Sequence, residues 1–163
     1  MNKFLALVAI IGFGAITASA QQSASTSAQC TTVVVRSLSI EANQDLDFGF
    51  QAQGVGEVTI SSESNKAVRF TITGEEWMDV RISYEAPEAL LNQKGSKLPF
   101  KALVTANDAD MPAGAKELAT GDVRTLSEKG NQFVYLGGTI DVAKDQDRGF
   151  YTGQFDINVE YTF

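Results

Sequence analysis

From Phe155 to Phe163 the residues Phe-Asp-Ile-Asn-Val-Glu-Tyr-Thr-Phe alternate apolar and polar without a break. An extended chain turns successive side chains to opposite faces, so Phe155, Ile157, Val159, Tyr161 and Phe163 form one apolar stripe. Such a strand must pair, either with its own sheet or with a partner. Exported subunits handled by chaperones often end this way, and so do strands threaded into the outer membrane. A membrane barrel needs a lipid-facing band on every strand and aromatic girdles at both edges. One Trp in 163 residues does not supply them. The stripe therefore reads as a core strand or as a surface recognised by a periplasmic chaperone.

Residues 1–20 read as an export signal. Lys3 gives a positive start, an apolar run follows from Phe4 to Ile16, and Ala18-Ser-Ala20 fits the small-residue cleavage rule. The run is shorter than the roughly 20 residues that span a bilayer, so no membrane-spanning segment is expected after cleavage. Residues 21–30 are small, polar and low in complexity, a flexible segment unless something pairs with them. Residues 31–163 are left for one domain of a size that buries roughly 68–70% of its unfolded surface. The net charge is −7, and Lys3 leaves with the signal. A surface this acidic repels nucleic acid and offers no basic face to anionic lipid.

Cys30 is the single cysteine, which rules out an internal disulfide. The residues before it, Ser27-Ala-Gln29, lack the Leu and the small residue at position −1 that lipid attachment requires, and the apolar run lies far upstream. There is no histidine. Its absence removes the usual general base near neutral pH, the common triads and the commonest zinc ligand. The expectation is a non-enzymatic protein without a cofactor.

Period-two runs occupy most of the remainder. Thr31 to Ile40 reads as a first strand whose phase slips near Arg36-Ser37, from Val33 and Val35 to Leu38 and Ile40. Leu46, Phe48 and Phe50 share a face, and Val58 and Ile60 follow Gly54 and Gly56. Val68, Phe70 and Ile72 make another stripe, as do Met78 to Tyr84 and Leu98 to Val104. Val134 to Leu136 precedes a Gly137-Gly138 break, then Ile140 and Val142. Gly, Asn, Asp and Ser bound these runs, the chemistry of turns. Helical periodicity is nearly absent: Glu88–Leu91 and Ala113–Leu118 give at most one turn each, and Asn107–Asn131 reads as a long polar loop or two short ones. The fold class is all-β, an antiparallel immunoglobulin-like sandwich of seven to nine strands.

An ordered set of short motifs adds to this reading. Leu46-Asp-Phe-Gly49, Gly56-Glu-Val-Thr-Ile60, Val68-Arg-Phe-Thr-Ile-Thr-Gly74, Gly137-Gly-Thr-Ile140 and Gly149-Phe-Tyr-Thr-Gly153 precede Val159-Glu-Tyr161. The set resembles a bacterial exported family known as domain of unknown function 4402, from about Thr31 to Phe163. Members look like pilus or fimbrial subunits of the chaperone–usher kind, with an immunoglobulin-like sandwich. The resemblance implies a structural or adhesive surface protein, located in the periplasm, at the cell surface or outside the cell. It carries over no catalytic residue. Cys30 departs from the small or polar residues usual in that stretch.

The sites follow from strand addition, in which a neighbour's extension fills a groove left by a missing strand. Residues 21–35 would supply the extension, with Val33 and Val35 as its strong apolar knobs; the alternative is that Thr31–Ile40 is this domain's own first strand. The candidate partner-binding residues are Val33, Val35, Phe155, Ile157, Val159, Tyr161 and Phe163, toward a second copy or a periplasmic chaperone. Asp145-Gln-Asp-Arg-Gly149 fails as a calcium loop because the required Gly and Glu positions hold Phe150 and Asp156. Asp45, Asp47, Glu75 and Glu76 offer no convergent carboxylate pair. Trp77 either covers an open end of the sandwich or serves as a stacking platform in a glycan-binding module.

Overall fold

The computed structural model describes residues 26–163, so the export signal expected at residues 1–20, and residues 21–25, lie outside the described residues. Residues 26–33 belong to a unit separate from Val34–Phe163 and carry no regular secondary structure. The larger unit holds ten strands and no helix: β1 Ser39–Ala42, β2 Gly56–Ile60, β3 Val68–Thr73, β4 Asp79–Glu85, β5 Ala89–Leu91, β6 Lys97–Asn107, β7 Lys116–Glu117, β8 Asp122–Thr125, β9 Asn131–Val142 and β10 Asp156–Tyr161.

They form two antiparallel sheets. The first has the order β1-β3-β9-β6-β5, with β2 also on β9 and β7 on β6; the second has the order β10-β4-β8. Inward residues follow the predicted alternation. Val68, Phe70 and Ile72 of β3 and Val134 and Leu136 of β9 face Val80 and Ile82 of β4 in one cluster. Ile72, Val80, Ile82 and Val134 are wholly buried. Each such side chain contributes roughly 1.5–3 kcal/mol by leaving water.

A second cluster of Leu98, Ile140 and Val142 occupies the other half of the first sheet. No residue of the three-stranded sheet covers it; Phe48, Leu90 and Tyr151 pack there instead.

Four segments differ from the sequence expectation. The first strand begins at Ser39 rather than Thr31. Glu88–Leu91 contributes β5 to a sheet instead of a helical turn, and its Leu90 lies opposite Leu98. Ala113–Leu118 makes a turn followed by β7. The supposed loop Asn107–Asn131 contains β7 and β8, and β8 pairs with β4 from Asp79↔Thr125 to Ile82↔Asp122. Leu118, just after β7, and Leu126, just after β8, are 1% and 0% exposed and plug the main core.

The glycine pair does not break its strand either. β9 runs through Gly137 and Gly138, and the interruption falls on its neighbour. β2 pairs with the C-terminal part of β9 up to Ile60↔Gly138, and β3 resumes at Val68↔Leu136. The intervening chain lies against Gly137, where a Cβ would sit 2.3 Å from the Ile60 carbonyl oxygen. On the inner face, a Cβ at Gly138 would strike the Phe100 ring. Both positions are glycine because other atoms already fill the space.

Candidate functional site

In the constant-type immunoglobulin sandwich one sheet runs A-B-E-D and the other C-F-G. Here β1, β3, β9 and β6 reproduce A-B-E-D, and β4 with β10 reproduces C-F. Among the described residues no strand occupies the G position beside β10. β8 adds to the opposite edge of β4.

The open position has an energetic signature. Val159 pairs with Ile82 and Tyr161 with Val80. Both β4 residues are wholly buried, whereas Phe155, Ile157, Val159 and Tyr161 are all only partly buried. The predicted stripe thus faces the core but sits at the rim of an unfinished layer. Its strand carries no inward charge or proline, the usual protection of an exposed edge.

A groove of about 1200 Å³ reaches Phe155, just ahead of β10, but no residue of β10 itself lines it. Its floor is the inner face of the first sheet at Val68, Leu136, Ile140 and Val142, and its rims are residues 44–53 and 146–155. Two aromatic pairs wall it: Phe48 meets Phe100 edge-on at 6.2 Å, and Phe155 stacks on Phe70 at 5.8 Å. The far rim is held by amides. The Gln146 side chain donates to the Tyr151 hydroxyl at 2.7 Å and to the Lys97 carbonyl at 3.0 Å, and the Tyr151 hydroxyl donates to the Asp147 carbonyl at 2.7 Å. Leu46 and Phe48 turn inward as predicted, but residues 44–51 form no strand, and Phe50 projects wholly into solvent. Phe150 on the opposite rim is 80% exposed.

At the other end of the domain the incoming chain is clamped. The Arg36 amide donates to Glu75 Oε2 at 2.8 Å, and the Tyr161 hydroxyl donates to the Arg36 carbonyl at 2.6 Å. The same hydroxyl accepts the Glu75 amide at 2.7 Å, and the Arg36 guanidinium donates to the Gly74 carbonyl at 3.2 Å. Just ahead of the clamp Val35 is half-buried, and Val33 and Val34 are exposed. Phe163, the last residue of the stripe, is exposed and lies beside Tyr161 with ring centres 6.0 Å apart.

Trp77 does not cover the end of the sandwich. It is 67% exposed and adopts φ +62°, the one non-glycine with positive φ among the described residues. The acidic positions are occupied structurally: Asp147 accepts the Ser96 hydroxyl, and Asp47 caps the Gly49 amide at 2.7 Å. No group of three metal-ligating side chains occurs among the described residues. Nor do the described residues hold a helix long and apolar enough to cross a membrane.

Sequence reasoning identified the β10 stripe and the shared face of Leu46 and Phe48, without placing that face at a groove. It missed the 146–153 rim and the Arg36 clamp, which depend on contacts across tens of residues.

Taken together, fold and groove define an immunoglobulin-like sandwich with an open strand position beside its last strand. The chain belongs to the family described as domain of unknown function (DUF4402), whose model matches residues 11–161. No curated protein matches it.

Proposed function

We propose that the protein is an exported, non-enzymatic structural or adhesive subunit of a bacterial surface fibre, assembled by strand addition. The observation that carries this reading is the half-buried inward stripe of β10 along an unpaired edge, with an apolar groove that meets the stripe at Phe155. A strand laid there would cover Phe155, Ile157 and Val159 and give β10 main-chain partners. Residues 21–35 of a second copy suit the role because they carry no charge. Val33 and Val35 are their knobs; a periplasmic chaperone would hold the same groove before assembly. The export signal read from residues 1–20 supports a location in the periplasm or at the surface.

The test compares the chain beginning at Gln21 with one lacking residues 21–35, by sedimentation velocity and thermal melting. Self-association that requires those residues is expected. Two monomeric species of equal stability would remove the mechanism. A second reading, a monomeric glycan-binding module, draws on the exposed Trp77 indole. Glycan-array binding abolished by Trp77→Ala would favour it.

A further inference from the structure

The two ends of the domain carry different exposed aromatics. β1, β3, β4 and β10 bring Ser39, Thr73, Asp79 and Tyr161 to one end, with Asn131 of β9 opposite Thr73. Trp77 and Phe163 are exposed there, where the chain enters at Val34. Gly56 and Val142 mark the other end, where Phe50 and Phe150 stand on facing rims of the groove. β9, with its 12 residues, links the two ends. At about 3.3 Å per residue it spans roughly 40 Å.

Trp77 is the unusual member. A bulky residue at φ +62° is a backbone outlier that glycine would relieve. Strain of this kind persists where the surroundings impose it and concentrates at functional positions. An indole held this way in solvent gains nothing in the isolated domain. It gains if the ring is covered in an assembly.

The Arg36 clamp specifies what covers it. Residues just before Arg36 are tied through Tyr161 and Glu75 to the Trp77 end of their own domain. When they lie in a neighbour's groove, that end is drawn against the neighbour's groove mouth. We infer that the Trp77–Phe163 end of one copy packs on the Phe50–Phe150 rims of the next, a second contact beyond the inserted strand. This rests on the fibre reading. The contact joins two different patches, so it is heterologous and repeats along an open fibre rather than closing a pair.

Trp77 is the only tryptophan, so its fluorescence reports the contact directly. In the chain beginning at Gln21, emission is expected to move to shorter wavelength on assembly. The full-length Val33→Asp variant, altered at an exposed position, is expected to stay monomeric with unshifted emission. Trp77→Gly should melt at a higher temperature as a monomer yet assemble on the order of tenfold more weakly, and Phe50→Ala should weaken assembly similarly. If assembly depends on Val33 while Trp77 emission stays constant and both variants assemble normally, the end contact is wrong and the fibre reading stands. If no assembly depends on residues 21–35, both fall. Emission that responds to added glycans, with assembly unchanged by Trp77→Gly, would also overturn the contact.

Discussion

At Gly137 a methyl group has nowhere to go. It would lie 2.3 Å from the Ile60 carbonyl oxygen and 2.6 Å from the Ser62 nitrogen, both of them backbone atoms unable to rotate away. Gly137→Ala is expected to cost about 2–4 kcal/mol, seen as a lower urea midpoint with an unchanged slope. Tyr135 illustrates a different constraint. It is buried on the outer face of the first sheet, and its hydroxyl donates to Asp110 Oδ1 at 3.2 Å, while Asp110 Oδ2 pairs with Arg69 at 2.7 Å. Burial first, then the hydrogen bond to Asp110 and its negative charge, push the phenol up to about 12 against a smaller opposing effect of Arg69. The folded state thus favours the protonated phenol, whose contribution is complete below pH 10 and lost as pH rises toward 12. Thermal melts over that range should show a decline that Tyr135→Phe flattens. Neither residue announces itself in sequence, because each is defined by atoms more than twenty positions away.

Among the elements, the clearly alternating ones were legible and the interrupted ones were not. Val68–Thr73, Asp79–Glu85 and Asp156–Tyr161 show period two over six or seven residues, and each is a strand. Asn107–Asn131 hides its strands because β7 has only two residues and its core contacts come singly, at Leu118 and Leu126. Leu126 is wholly buried, and its amide donates to the Met78 carbonyl at 2.9 Å. Leu126→Ala is expected to cost about 2–5 kcal/mol in chemical denaturation, whereas a true loop residue would lose almost nothing. The Gly137-Gly138 pair misled for a related reason. Glycine signals either a turn or a crowded backbone, and only the neighbouring strand shows which applies. The N-terminal run misled through its valines: Thr31–Leu38 has strand composition but no ladder.

For the whole molecule, the fold class followed from pattern, while the open strand position did not. Periodicity specifies which residues face inward, not how many strands complete a layer. The β10 stripe looks identical whether its far edge is covered or bare; only the register against β4 exposes the difference between a buried Val80 and a half-buried Tyr161. The sedimentation comparison therefore belongs at this scale. It asks whether a layer unfinished in one molecule is finished by the next. The interrupted β2–β3 edge has a separate practical consequence. Its connecting loop anchors Ser62 and Ala67 inside and leaves Glu63, Asn65 and Lys66 in solvent. β9 fixes the alignment on both sides of that gap, so a foreign epitope grafted at Glu63–Lys66 would be displayed at the surface without shifting a single rung of the ladder.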